Sequence, residues 1–551
     1  MARSDSTPPD SHRDQHLYQQ LADDIAEGIH AGLLRPGERL PSVRRTCAQR
    51  GLSPATVFQA YAQLESQGLV EARPRSGFFV RIARRAPRSS PQAAQPRDEA
   101  TPVAISELVY ELLGSTRDAD VTPLGSAFPA AHLFPFEALA RSGARAMRRL
   151  PAARITGALT AGDEGLRQLL RRRYALQGTS LAEEELIVTN GAMEALNLCL
   201  QAVTRPGDVV VIESPAFYAA LQALERLNLK AVEVATDPRE GVDLDALAAL
   251  LARQPRSRQV AACWFMPNFQ NPLGALMPPA RKQALVELLA HHRVPLIEDD
   301  VYGELHAGAR RPPPAKAYDR EGGVLHCSSF SKCLAPGYRV GWAAAGRYAP
   351  VVERLKMSTT LATALPPQLA LADYLAQGSY DRHLRRLREA LASQRQHALS
   401  LIERHFPSGT RVTRPQGGYF LWLELPSLVD TLELHRRAKV HHISTAPGLL
   451  FSADRRFTHH LRLNVGHPDD PRVDAALRLL GELAHELLRG KLRPESIIAP
   501  CRLPKSCMAS TPWACASRPH PRPFLKFITM PRAETRACGS SSCGPRRPAC
   551  V

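Results

Sequence analysis

No run of about 20 apolar residues occurs anywhere in the 551-residue sequence, so no segment reads as a membrane-crossing helix. The first 15 residues, MARSDSTPPDSHRDQ, lack the apolar core of a secretory leader, and a cytoplasmic protein is the expectation. Paired cysteines are missing as well. Cys47, Cys199, Cys263, Cys327 and Cys333 are scattered, as thiols in a reducing compartment are. The other six (Cys501, Cys507, Cys515, Cys538, Cys543 and Cys550) crowd into the end of the chain. Their spacings repeat no paired metal-ligand pattern, so no metal site is expected. Internal repeats are absent too.

Acidic residues are in deficit: 53 against 71 Lys and Arg, for a net charge of +18. Such an excess suggests a polyanionic partner, but its distribution weakens the inference. From Gly490 to Val551, 11 Lys/Arg against 2 Asp/Glu give this tail +9, half of the total. With little apolar periodicity, residues 489–551 read as a basic, Cys- and Pro-rich disordered extension. The length excludes one compact core and suggests about three or four domain-sized units.

Residues 15–82 pattern as short helices followed by a hairpin. Leu17, Leu21, Ile25 and Ile29 recur every four residues, an apolar stripe that Pro36-Gly37 ends. A second helix starts near Pro41-Ser42 and stops at Gly51, suited to the left-handed position past a helix end. Ser53 caps a third, Pro54 fits its first turn and Gly68 ends it. Val57, Tyr61 and Leu64 should pack inward, leaving Ser53, Thr56 and Gln59 for phosphates and base edges. Two helices across a short Gly turn form a helix-turn-helix, whose second helix enters the major groove. The run LVEARPRSGFFV then reads as a two-stranded wing with Arg75 and Gly77 at its tip, and Arg44 and Arg45 are phosphate anchors. Residues 83–101, ARRAPRSSPQAAQPRDEAT, read as a flexible linker.

From 102 to 488, apolar β-rich runs alternate with helical stretches. Strands are expected at 186–189, 208–213, 259–265 and 294–299, and helices at 192–203, 216–227, 243–253 and 279–292. That alternation predicts an α/β fold with a mainly parallel sheet. Polar residues stand at the strand ends. Gly191-Ala192-Met193 opens a helix whose free N–H groups can hold a phosphate. Phe217, just past a strand, can stack on a planar ring. Asn271 lies in a turn-rich stretch after the next strand. Asp299, with Tyr302 three residues on, can keep a ring nitrogen protonated; Asp300 competes, but the Asp-x-x-Tyr spacing favours Asp299. Ser329 and Arg339 flank Lys332 and can bind phosphate, while the Lys332 amine can condense with an aldehyde if its pKa is lowered.

Residues 40–80, LPSVRRTCAQRGLSPATVFQAYAQLESQGLVEARPRSGFFV, resemble the winged helix-turn-helix of the GntR family. The runs TNGAMEAL, MPNFQNPLG, IEDDVYGEL and SSFSKCLAPGYRVGW, with RPQGGYFLWLELP and LRLNVGHP, resemble fold-type I pyridoxal phosphate enzymes of the aspartate aminotransferase superfamily. That fold has a small C-terminal α+β subdomain. The combination is the layout of the MocR regulators. The resemblance implies pyridoxal 5′-phosphate on Lys332, an amino acid carboxylate on Arg462, double-stranded DNA as partner and a homodimer. It departs from many relatives at Ile155–Gly162, which holds no Tyr to reach a partner subunit's phosphate, and at Met193, where a polar side chain is common. The rival reading is a working aminotransferase carrying a DNA-binding appendage; a metal-binding interaction protein built on the Cys-rich tail is a distant third.

Overall fold

The computed structural model describes residues 11–30, 34, 38–66, 69–73, 76–80, 88–97, 99–114, 120–157, 161–253 and 260–492. Three helices, Ser11–His30, Val43–Arg50 and Pro54–Ser66, are followed by the antiparallel pair β1 (Val70–Arg73) and β2 (Gly77–Val80). Their core is Leu21, Leu40, Val57, Ala60, Tyr61, Leu64, Val70 and Val80. The Tyr61 hydroxyl donates to the Pro41 carbonyl at 2.8 Å and shares a 2.8 Å hydrogen bond with Thr46, which pins the third helix to the start of the second. Leu17, expected in the apolar stripe, is 37% exposed. The packed face of the first helix runs instead from Tyr18 through Leu21 and Ala22 to Ile25. Pro36-Gly37 and Gly68 lie outside the described residues.

The expected linker is not a free tether over its described part. Arg88 donates to the carbonyls of Glu403, Phe406, Pro407 and Thr410, at and beyond the end of the helix Ser379–His405, where a cation is favoured. Val412 N–H donates to the Ser89 carbonyl, Gln92 N–H to Glu424, and Arg456 to the Gln95 carbonyl. The segment ends as β3 (Thr101–Pro102) on the edge of the main sheet.

That sheet adds β4 (Leu186–Thr189), β5 (Val209–Ser214), β6 (Lys230–Asp237), β7 (Gly241–Val242), β8 (Val260–Phe265), β9 (Leu296–Asp299), β10 (Val324–Ser329) and β11 (Gly341–Ala344). The order is β3-β6-β5-β8-β9-β10-β11-β4, with β7 on β6. β6, β5, β8, β9 and β10 run parallel; β11 is antiparallel to both its neighbours. The expected mainly parallel sheet is therefore present. Because parallel strands end at one edge, Ser214, Phe265, Asp299 and Ser329 are delivered to the same side. Helices at Ala192–Val203 and Pro279–His292 have the expected bounds; those at Tyr218–Arg226 and Leu244–Arg253 fall slightly inside them.

A second, four-stranded antiparallel sheet is built from β12 (Arg411–Val412), β13 (Phe420–Glu424), β14 (Ala446–Pro447) and β15 (His460–Asn464), in the order β12-β13-β15-β14. It packs on the helices Ser379–His405, Thr431–Val440 and Pro471–Leu492 around a core of its own. The last helix carries the domain past residue 488; the expected tail beyond Leu492 lies outside the described residues. Among the described residues no helix is long and apolar enough to cross a membrane, and no cluster of His, Cys, Asp and Glu is arranged to hold a metal ion.

Candidate functional site

The edge where the parallel strands end meets the small sheet around Lys332. The Lys332 residue is half-buried; its amine donates to the Ala127 carbonyl at 2.7 Å and lies 3.8 Å from the centre of the Phe128 ring. Burial, with the Arg462 and Arg339 guanidinium groups nearby, brings its pKa down to about 7. Asp299 at the end of β9 is fully buried, and neither carboxylate oxygen has a hydrogen-bond partner. Burial and the adjacent Asp300 carboxylate push its pKa up to about 7. Asp300 itself is committed elsewhere, paired with Arg311 and accepting from Asn268 Nδ2 at 2.9 Å. Of the two carboxylates, Asp299 alone has unsatisfied oxygens.

Arg462 is completely buried on β15. Its guanidinium lies 4.4 Å from the centre of the Phe420 ring, donates to Asn271 Oδ1 at 3.3 Å and to the Gly125 and Ser126 carbonyls at 2.6 and 3.3 Å, and leaves Nε unsatisfied. Because Arg462 takes the Asn271 oxygen, the Asn271 amide nitrogen faces the other way, and it too is buried without a partner. A surface arginine on a strand is thereby excluded. Tyr302 is buried, its ring centre 5.9 Å from the Lys332 amine. Buried polar groups nearly always find partners, so this concentration of orphans around one amine singles it out as the candidate site.

On the β4 side, Gly191 (φ 84°) caps the helix Ala192–Val203. A Cβ on Gly191 would collide with the Arg339 guanidinium, and one on Gly341 would sit 2.7 Å from Ala192 N. Both positions need glycine for the guanidinium and the β11 backbone to close over the helix start. Arg339 is exposed, donating to Ser331 Oγ at 3.0 Å and to the Asn190 carbonyl at 3.4 Å. Ser329 is buried at the end of β10, Met193 is half-buried in the first helical turn, and Phe217 is half-buried beside Tyr218 with ring centres 5.0 Å apart. Gly191, Ala192, Met193, Asn271, Asp299, Tyr302, Ser329, Lys332, Arg339 and Arg462 thus border one region, with Phe217 just beyond β5. The sequence reading misses Ser331, although its two-residue spacing from Ser329 is a signal, and the Gly125–Phe128 segment, for which no local signal exists.

In the winged helix, Ser53 Oγ accepts from Thr56 N–H at 3.1 Å, as its capping role requires. Thr56, expected on the outer face, is only 5% exposed, and its hydroxyl pairs with Ser53 at 2.7 Å. It lies four residues before Ala60 and eight before Leu64, on the buried stripe, and so leaves the candidate surface. Ser53, Gln59, Arg44 and Arg45 are exposed. Gly77 (φ 97°) opens β2, with the Arg39 guanidinium 3.5 Å from where its Cβ would be. Arg39 joins the candidate surface; Arg75 lies outside the described residues.

Residues 136–480 match the aminotransferase class I and II family, and residues 17–80 match the gntR family of bacterial regulatory proteins. The chain belongs to the MocR-type family. An uncharacterized HTH-type transcriptional regulator of Escherichia coli K12, YdcR, is 48% identical to this MocR-type chain over 471 residues, covering 86% of it and 99% of YdcR. Among solved structures, the multiple substrate aminotransferase of Thermococcus profundus is 28% identical with a TM-score of 0.65, covering 70% of this chain and 96% of that one. The α-aminoadipate aminotransferase LysN of Thermus thermophilus, solved with N-(5′-phosphopyridoxyl)-L-leucine, is 29% identical with a TM-score of 0.62, covering 70% and 100%. Members of the aminotransferase class I and II family use pyridoxal phosphate.

Proposed function

We propose that this protein is a cytoplasmic, homodimeric DNA-binding transcription regulator whose aminotransferase-like domain holds pyridoxal 5′-phosphate on Lys332 and senses the cofactor, an amino acid, or both. The observation that carries this is the ring of unsatisfied buried polar atoms around Lys332, on the same chain as a winged helix with exposed basic and polar residues.

The residues fit the cofactor group by group. The orphaned oxygens of Asp299 match a protonated ring nitrogen, and the orphaned amide nitrogen of Asn271 matches a phenolic oxygen, with Tyr302, its ring centre 5.9 Å from the Lys332 amine, as a second candidate for that oxygen. The N–H groups of Ala192 and Met193, the Ser329 hydroxyl and the Arg339 guanidinium suit a phosphate beside Gly191, and Phe217 suits the ring face. When bound, the cofactor supplies an aldehyde conjugated to an electron-withdrawing ring. Asp299 then keeps a proton on the ring nitrogen, and Lys332, neutral above about pH 7, offers a nucleophilic amine. Arg462 binds the carboxylate of an incoming amino acid.

On the DNA side, Arg44 and Arg45 hold phosphates, Ser53 and Gln59 face the major groove, and Gly77, which opens β2, lets the wing approach the backbone closely. A ligand regulates only if it binds two arrangements of the readers with different affinity. The test is a DNA titration of the full chain with and without pyridoxal phosphate and amino acids. Ligand-dependent isotherms are expected; superimposable ones overturn the proposal. The assembled Lys332, Asp299, Asn271, Tyr302 and Arg462 also favour a second reading, in which the chain turns over as an aminotransferase. Amino-group transfer to a 2-oxo acid, abolished by Lys332→Ala, distinguishes it.

A further inference from the structure

Glu194 stands in the first turn of the helix that starts behind Gly191, an unexpected place for a carboxylate if that helix start receives a phosphate. Its neighbours explain the placement. Glu194 Oε2 accepts from the Asn190 N–H at 2.5 Å, from Asn190 Nδ2 at 3.2 Å and from the Lys356 amine at 3.0 Å. Its other oxygen accepts from the Thr360 hydroxyl. Lys356 is completely buried on the helix Ala349–Thr359, and its amine also donates to Thr360 Oγ1 at 3.2 Å. The Asn190 residue is thereby held at both ends, its N–H by Glu194 and its carbonyl by Arg339. Gly191 and the N–H groups of Ala192 and Met193 follow directly.

We propose that Glu194 and Lys356 form a positioning pair for the cofactor phosphate, Glu194 fixing the Asn190–Met193 backbone in its anion-receiving shape and Lys356 cancelling the charge that would otherwise repel the phosphate. This rests on the pyridoxal phosphate reading above. Neither residue touches the reacting atoms. The pair is neutral as a unit, so removing one member damages the site more than removing both.

The experiment titrates pyridoxal phosphate and unphosphorylated pyridoxal into full-length apoprotein, read by the visible band and by borohydride fixation on Lys332. Lys356→Met, which strands the Glu194 charge near the phosphate, is expected to raise the Kd for pyridoxal phosphate roughly tenfold or more, with the affinity for pyridoxal unchanged. The double variant Glu194→Gln/Lys356→Met, in which an amide oxygen still receives the Asn190 N–H, is expected to recover to within about threefold of the parent. Equal affinities in parent and Lys356→Met overturn the pairing proposal. So does an equal loss for both ligands, which makes the pair a general structural support, or a double variant no better than the single. A parent protein that binds neither vitamer overturns the cofactor reading instead.

Discussion

At the scale of single residues, the site turns on two groups held far from their ordinary titration. Lys332 falls to about 7 because burial and nearby guanidinium charge disfavour the ammonium, and Asp299 rises to about 7 because burial and Asp300 disfavour the carboxylate. The sign for Lys332 follows. A lysine whose folded pKa is depressed binds fewer protons than in the unfolded chain between the two values, so stability rises with pH across that window and is lost towards its acid end. The neutral amine needed to capture an aldehyde disappears as pH falls through about 7. The rate at which pyridoxal phosphate becomes fixable on Lys332 should therefore rise with pH, with a midpoint near that value. Arg462→Leu removes a positive neighbour and should move the midpoint up; Asp299→Asn removes a negative one and should move it down. Timed borohydride trapping from about pH 5 to about pH 9, which brackets the shifted value, checks this; unmoved midpoints in both variants would leave burial alone as the cause. Lys332 and Asp299 are legible in the sequence because each stands at a strand end that a parallel sheet must bring to one edge. Lys356 is not, because a buried lysine on an ordinary helical stretch has no local signature. Its meaning comes from Glu194, distant in sequence.

At the scale of elements, the helix starts are legible where a cap is written locally, as at Ser42 and Ser53, and the helices Ala192–Val203 and Pro279–His292 match their apolar patterns. Two readings fail for different reasons. Thr56 reads as outward by residue type, although its spacing from Ala60 and Leu64 puts it on the buried stripe. Residues 83–101 read as free by composition, which carries no information about the carbonyls at a distant helix end that Arg88 satisfies. The corrected recognition helix makes a sharper prediction. Arg44→Ala should weaken binding about equally on all DNA sequences and lower the slope of log K against log salt by about 1. Gln59→Ala should relax discrimination at one base position, by about 1–3 kcal/mol, with the salt slope unchanged. Binding measured at several salt concentrations on specific and scrambled duplexes separates the two. Identical behaviour of the variants would mean that this helix does not lie in the groove.

At the scale of the whole molecule, nearly half of the net charge lies outside the residues that build the described cores. The buried cores of the winged helix, the main sheet and the small sheet draw on residues up to Leu487, and the last described helix ends at Leu492. Truncation after Leu492 removes ten Lys/Arg and two Asp/Glu, which takes the net charge from +18 to +10. No residue of any described core goes with it. The thermal midpoint and the visible cofactor band should therefore stay as they are, to within about 2 °C for the midpoint. Association with non-specific DNA depends on counterion release by cationic side chains in general rather than on groove contacts, so it should weaken and lose salt dependence. If the third helix and the wing read an operator as proposed, binding to it should lose less, and the specificity ratio should rise. Melting, absorbance and DNA titration on the truncated and full chains decide this together. A drop in the midpoint or loss of the band would show that the basic tail is part of the folded domain, whereas unchanged non-specific affinity would place the DNA-directed charge on the winged helix alone.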